Sequence, residues 1–376
     1  MRTVRTAACT VVATLALLAG CSSGPKAATP APPPYQHPGP DTVGVTTLDL
    51  GSAGPVFGER MATVYYPADP ATVAGHPRFS YTEASTLPAS LVGLLPAQYN
   101  TTTPVVAYAD APASRSGPYP VVLFSHGFGG ERLQYSNLLT GIASWGFVVV
   151  SADYLERGLA AQALGVKPTS SPARDSTIMR SSLAALEFAS AGAGTVLHGV
   201  ADPHRVAAVG HSAGGGTAFD ALDSPAVATA VGWAPVAPAG KPSSKPVMLI
   251  GAEGDTVVPP ADVRKTYDAF TGPKALVEIS GEGHNTYTDI CVGIRSGSGG
   301  LIGFALAHHL ITPMLAQFAV NGCAPSDLPP QQFWPIVQFY TVLQLKNQFG
   351  GDPGATIPTP AKGQFPGFTV TVHQSR

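Results

Sequence analysis

The segment Arg205-Val206-Ala207-Ala208-Val209 is a short apolar run, and Gly210-His211-Ser212-Ala213-Gly214 follows it at once. Gly215-Gly216-Thr217-Ala218-Phe219 then begins a helix-like stretch. A buried strand, a G-x-S-x-G turn and a helix start in this order describe a nucleophile elbow. A strand that turns directly into a helix forces Ser212 into a strained backbone conformation, and side chains at the flanking glycines would collide with the chain. The strain holds the hydroxyl above the sheet, and the new helix points its free amides and positive end at the same place. The motif alone is common, and it is the strand before it and the helix after it that give it weight. The bland alternative is a glycine-rich turn with an ordinary serine.

The flanking sequence fits that sheet. Residues 120–125 form a wholly apolar strand, as expected of a parallel strand covered on both faces. Residues 131–145 predict a helix and 147–150 the next strand. Ser171-Pro172 is a capping hydroxyl with proline in the first turn, and Met179, Leu183 and Leu186 mark that helix's buried stripe. Strands follow at 229–233, 246–250 and 275–279, with a helix at 261–270 between the last two. This alternation predicts an α/β fold, mostly a parallel doubly wound sheet with helices on both faces. Earlier, 43–50 alternates like an edge strand and 60–66 reads as a second strand. Residues 68–117 read as a long insertion with one short helix at 87–99, either a partial lid beside the site or a surface excursion. Residues 300–350 predict extra C-terminal helices. Within them 301–320 is nearly all apolar but is interrupted by His308, His309 and Pro313, so a buried core helix is expected rather than a membrane span.

A serine hydroxyl needs a base to take its proton, and the base needs an acid to orient it. In this fold type the order along the chain is serine, acid, histidine. Asp255 lies just past the strand at 246–250, and His284 lies in the glycine-rich loop after the strand at 275–279. Both positions are at the carboxyl edge of the sheet, where ligands gather. Ser212, Asp255 and His284 are therefore the expected catalytic residues, with Glu253 and Asp262 as substitute carboxylates. The oxyanion requires two backbone N–H groups. Ala213, directly after the serine, should supply one. Phe128, in the turn His126-Gly127-Phe128-Gly129-Gly130, should supply the other and also wall the acyl pocket.

These segments, with Gly251-Ala252-Glu253-Gly254-Asp255-Thr256-Val257-Val258-Pro259 and Glu282-Gly283-His284, resemble the α/β-hydrolases. They are most similar to the branch holding bacterial cutinases, polyester hydrolases and platelet-activating-factor acetylhydrolases. The resemblance runs from about residue 120 to 284. It implies that His126 is a structural histidine and that Trp233, at the end of the strand after the elbow helix, flanks the substrate cleft. The chain departs from the cutinases at Ala213, where they carry methionine, in H-G-F where they have P-G-Y or P-G-F, and in its added segments. The departures put polymer substrates in doubt.

Arg2 and Arg5 followed by the apolar residues 7–19 describe a signal peptide over residues 1–20. Leu18-Ala19-Gly20-Cys21 resembles a bacterial lipobox, which implies lipidation of Cys21; otherwise the segment is a plain secretory signal and Cys21 is incidental. The Pro-, Ala- and Ser-rich residues 21–40 read as a flexible tether, leaving one hydrolase domain over 41–376. Of four cysteines, Cys9 leaves with the signal, so export to an oxidising compartment predicts a Cys291–Cys323 disulfide. Closing a loop of that order contributes roughly 3 kcal/mol. Charged residues are only 12% and the net charge is -2, which argues against nucleic acid as a partner. The expected activity is serine-dependent hydrolysis of carboxylic esters through an acyl-enzyme on the outer face of the cell membrane, with an ester and water as reactants and no cofactor or metal. Polyester or phospholipid-acyl hydrolysis are the alternatives within enzymes. A catalytically silent binding lipoprotein is the alternative from another class.

Overall fold

The computed structural model describes residues 33–352 and 355–375. The expected signal at 1–20 and the lipidation site Cys21 lie outside them. Among the described residues eleven strands form one sheet: β1 (Val43–Ser52), β2 (Glu59–Pro67), β3 (Arg78–Thr82), β4 (Thr102–Ala109), β5 (Tyr119–Ser125), β6 (Val148–Ala152), β7 (Ala201–His211), β8 (Val227–Trp233), β9 (Val247–Ala252), β10 (Lys274–Ile279) and β11 (Val370–Ser375). Their order is β11-β10-β9-β8-β7-β5-β6-β2-β1-β4-β3. The block from β6 to β10 is parallel throughout. Antiparallel β2 and β11 flank it.

The period of two along each strand divides the core into two layers. On one face Val122, Phe124, Val231 and Ile250 pack with Leu138, Leu139 and Ile142 of the helix Ser136–Ala143 and with Phe333, Ile336 and Phe339 of the helix Pro330–Gly350. On the other, Val121, Leu123, Ala208 and Leu249 meet Ile178, Met179 and Leu186 of the helix Pro172–Ala191, Phe219 of the helix Ala213–Asp220 and Val263 of the helix Pro260–Ala269. The Ser171 side chain accepts from the Arg174 N–H, as its capping position predicts. A mostly parallel sheet covered by helices on both faces, with a strained strand–helix turn at β7, is the α/β-hydrolase fold.

Three expectations are corrected. The segment 68–117 carries the expected short helix, Ala89–Val92, but joins the sheet through two strands: β3 and β4 pair with each other, and β4 lies parallel to β1. β4 alternates buried and exposed residues from Thr102 to Ala107, a pattern masked in the sequence by Pro104 and by small polar neighbours. The apolar stretch 301–320 is two helices, Gly300–Ala307 and Pro313–Val320. Proline at 313 and His309 at φ 58° break it, and Leu306, Leu310 and Phe318 are exposed rather than buried. Among the described residues no helix is long and apolar enough to cross a membrane. Finally, the end of the presumed tether is docked. Gln338 Nε2 donates to the carbonyls of Tyr35 and His37, both at 2.7 Å, and Gly39 N–H donates to Ser144 Oγ at 2.8 Å.

Candidate active site

Ser212 has φ 56° and ψ −121°, a conformation that non-glycine residues adopt only under strain. Its neighbours permit the turn. A Cβ on Gly210 would lie 2.1 Å from the Gly214 carbonyl oxygen, and one on Gly214 would lie 1.9 Å from that of Ser125. Ser212 is anchored on both sides: its N–H donates to the Trp233 carbonyl at 2.9 Å, and its carbonyl accepts from Val236 at 3.1 Å.

Asp255 and His284 meet as the chain order anticipates. His284 Nδ1 donates to Asp255 Oδ2 at 2.7 Å. Asp255 Oδ1 accepts the N–H groups of Val257 and Val258, each at 2.8 Å, so both carboxylate oxygens are engaged. The imidazole of His284 then presents Nε2 as its free ring nitrogen. The ring of His284 lies 4.6 Å, centroid to centroid, from that of His211, the residue before the elbow serine. The three expected residues thus share one rim of the sheet. Glu253 and Asp262 are exposed, and His284 pairs with neither.

The turn carrying Phe128 sits directly over the elbow: a Cβ on Gly127 would lie 3.1 Å from Ser212 Cβ. A buried network fixes this turn. His126 Nδ1 donates to the Gly127 carbonyl at 2.8 Å, and Nε2 accepts the Tyr154 N–H at 2.9 Å. Burial lowers the His126 pKa to about 4, aided by the Arg157 cation, so the ring is neutral and structural. Arg157 Nη2 donates to Ser125 Oγ at 2.7 Å and to the His126 carbonyl at 2.8 Å, while Nη1 pairs with buried Asp175. The Arg157 carbonyl takes the Gly129 N–H at 2.8 Å.

Two side chains of the site carry no sequence signature. Tyr135 donates from its hydroxyl to His211 Nδ1 at 2.9 Å and accepts the Gly127 N–H at 3.4 Å. Asn321 binds both the acid and the base loops. Tyr135 is 76 residues from His211, and Asn321 is 65 and 37 residues from Thr256 and His284, so no local motif contains these pairs.

Trp233 is a correction. It is 0% exposed, it stacks at 12° to Tyr287, and its Nε1 donates to Thr341 Oγ1 at 3.0 Å. Period two along β8 puts Thr229, Val231 and Trp233 on one face, and the helix Pro330–Gly350 covers that face. The added C-terminal helix therefore turns a presumed cleft residue into core. Phe128 is 60% exposed and available as a wall. Cys291 and Cys323 form the expected disulfide, with Cα atoms 4.8 Å apart. His308 and His309 lie exposed at the end of their helix.

A family model described as chlorophyllase matches residues 92–249, which include Ser212. One described as TAP-like protein matches residues 227–294, which include Asp255 and His284. No curated protein matches the chain by sequence. Among solved structures, a ferulic acid esterase from Streptomyces cinnamoneus superposes with a TM-score of 0.60 at 20% identity, over 88% of this chain and 96% of that one. The chain is thus similar to hydrolases and esterases of the α/β-hydrolase fold.

Proposed function

We propose that this chain is a serine-dependent carboxylic ester hydrolase. The observation that carries the reading is the 2.7 Å Asp255–His284 pair beside a strained serine at the mouth of a helix. Its Nδ1 held by Asp255, His284 takes the Ser212 proton on Nε2 as the hydroxyl attacks the ester carbonyl. The amides of Phe128 and Ala213 bind the oxyanion. The proton passes to the departing alcohol, and water, activated by the same histidine, releases the acid from the acyl-enzyme.

The surroundings favour an ester with an apolar acyl or aryl part. Phe128 is exposed beside the serine, and exposed Phe318 belongs to the helix whose last carbonyls bind Asn285 of the base loop. The solved neighbour named a ferulic acid esterase makes aryl esters the first group to try after simple acyl esters. Burial of Trp233 removes the aromatic platform that a polyester reading would use. Export through the signal at 1–20, and anchoring through lipid on Cys21, belong to this proposal as its account of location.

Hydrolysis of p-nitrophenyl acetate and butyrate by the wild type and by Ser212→Ala tests the reading. A rate abolished by the substitution is expected. Equal rates would remove the proposal and leave the silent binding protein.

A further inference from the structure

The acid and the base of the site come from different loops, 253–258 and 282–287, which meet in the Asp255–His284 side-chain bond and where the Gly254 N–H donates to the Glu282 carbonyl at 2.9 Å. A third segment holds the two loops together. Asn321 follows the helix Pro313–Val320. Its Oδ1 accepts the His284 N–H at 2.7 Å and the Thr256 N–H at 3.2 Å. Its Nδ2 donates to the Gly254 carbonyl at 3.3 Å, and its own carbonyl accepts the Asn285 N–H at 2.8 Å. Asn321 therefore grips the residues on both sides of Asp255 and the backbone of His284 itself.

The rest of the segment is built to hold that grip. Thr286 Oγ1 donates to the Gly322 carbonyl at 3.0 Å. A Cβ on Gly283 would lie 2.5 Å from the Gly322 nitrogen, so the two backbones pass in contact. Asn285 Nδ2 donates to the carbonyls of Phe318 and Ala319 at 2.8 and 2.9 Å. The next residue, Cys323, is bonded to Cys291 in the helix Ile290–Ile294, just past the base loop.

We propose that Asn321 is a positioning residue that sets the distance between the acid and base loops, with the Cys291–Cys323 bridge holding it in register. The inference rests on the ester-hydrolase reading. An amide is suited to the task because one short side chain offers an acceptor with two lone pairs and a donor at once. The dyad needs this support because proton transfer depends on placement: a shift of about 1 Å can cost on the order of a hundredfold in rate.

Asn321→Leu keeps the bulk and removes both functions. Asn321→Asp keeps the oxygen that takes the two N–H groups. With p-nitrophenyl butyrate, Asn321→Leu should lower kcat by about ten- to a hundredfold with little change in KM. Labelling of Ser212 by a fluorophosphonate should slow in parallel. Asn321→Asp, which keeps the acceptor but loses the donor to the Gly254 carbonyl, should recover part of both rates, and melting temperatures should show all three proteins folded. Asn321→Ala serves the same comparison if the leucine variant does not fold. A leucine or alanine variant with wild-type kcat overturns the inference, as does a folded aspartate variant no faster than leucine. A wild type that neither hydrolyses the ester nor is labelled refutes the ester-hydrolase reading instead.

Discussion

His211 Nε2 donates to the backbone carbonyl of His284 at 2.9 Å, so the residue before Ser212 holds the main chain of the proposed base. The other nitrogen of His211 accepts from Tyr135, whose hydroxyl also takes the Gly127 N–H. One buried chain of hydrogen bonds thus runs from the Phe128 turn, beneath the elbow, to the His284 loop. Burial, followed by the nearby His284, holds the His211 pKa well below the usual imidazole value, which keeps the ring neutral with one donor and one acceptor.

Removing the middle link tests this chain. Tyr135→Phe leaves a buried ring nitrogen and a backbone N–H unpaired, at a cost of about 1–3 kcal/mol each where no water replaces the hydroxyl. The expected result is a lower melting temperature together with a reduced kcat. Unchanged kcat in a destabilised variant would show that the chain supports the fold and not the site.

Trp233 separates a core role from a cleft role. Trp233→Ala should destabilise the protein by about 3–5 kcal/mol, because a buried indole and its bond to Thr341 are lost. Denaturant unfolding measures this directly. Phe128→Ala, at an exposed position, should leave stability nearly unchanged and raise KM for apolar esters. The reverse pattern would put Trp233 back in the cleft.

Asp289 gives a pH dependence of stability. It is buried between the Tyr81 hydroxyl and the Asn137 N–H, near Tyr65 and Glu131. Burial raises its pKa to about 7, against about 3.9 in an unfolded chain. The unfolded chain then ionises while the folded one stays protonated. The stability this group contributes is fully present below about pH 4 and is lost as pH rises towards 7. Asp289→Asn keeps an acceptor for both donors and cannot ionise. It should flatten the decline between pH 4 and 7 and gain on the order of 4 kcal/mol over the wild type at pH 8. Chemical unfolding across that range is the check, and parallel curves for the two proteins would refute it. Glu131, raised to about 8 by burial and then by Asp153, should leave a residual slope in the variant.

The disulfide should matter to both stability and rate. Replacing Cys291 and Cys323 by serine removes a link across 32 residues, worth roughly 3 kcal/mol. Because Cys323 lies two residues from Asn321, the expected loss of kcat exceeds what the folded fraction accounts for. Activity per folded molecule, measured well below the melting temperature, separates the two effects. A value equal to wild type would limit the bridge to stability.

The elbow, the order of Ser212, Asp255 and His284, and the central parallel strands were legible in the chain because each rests on a local rule. Steric exclusion at Gly210 and Gly214 acts over four residues, and a strand covered on both faces is apolar throughout. The edge strand β4 and the fate of 301–320 were not legible. A single chain segment does not show which neighbour will cover it, and an apolar helix reads alike whether buried or exposed.

Amino-acid order alone determined that a strained serine would top a parallel sheet, and which acid and histidine would follow it there. Tertiary structure decided the rest. It placed Trp233 under the last helix and brought Tyr135 and Asn321 to loops up to 76 residues away. The physical reason is range: backbone sterics and side-chain period act within a few residues, whereas burial and hydrogen-bond partnership across the chain exist only once the layers have packed.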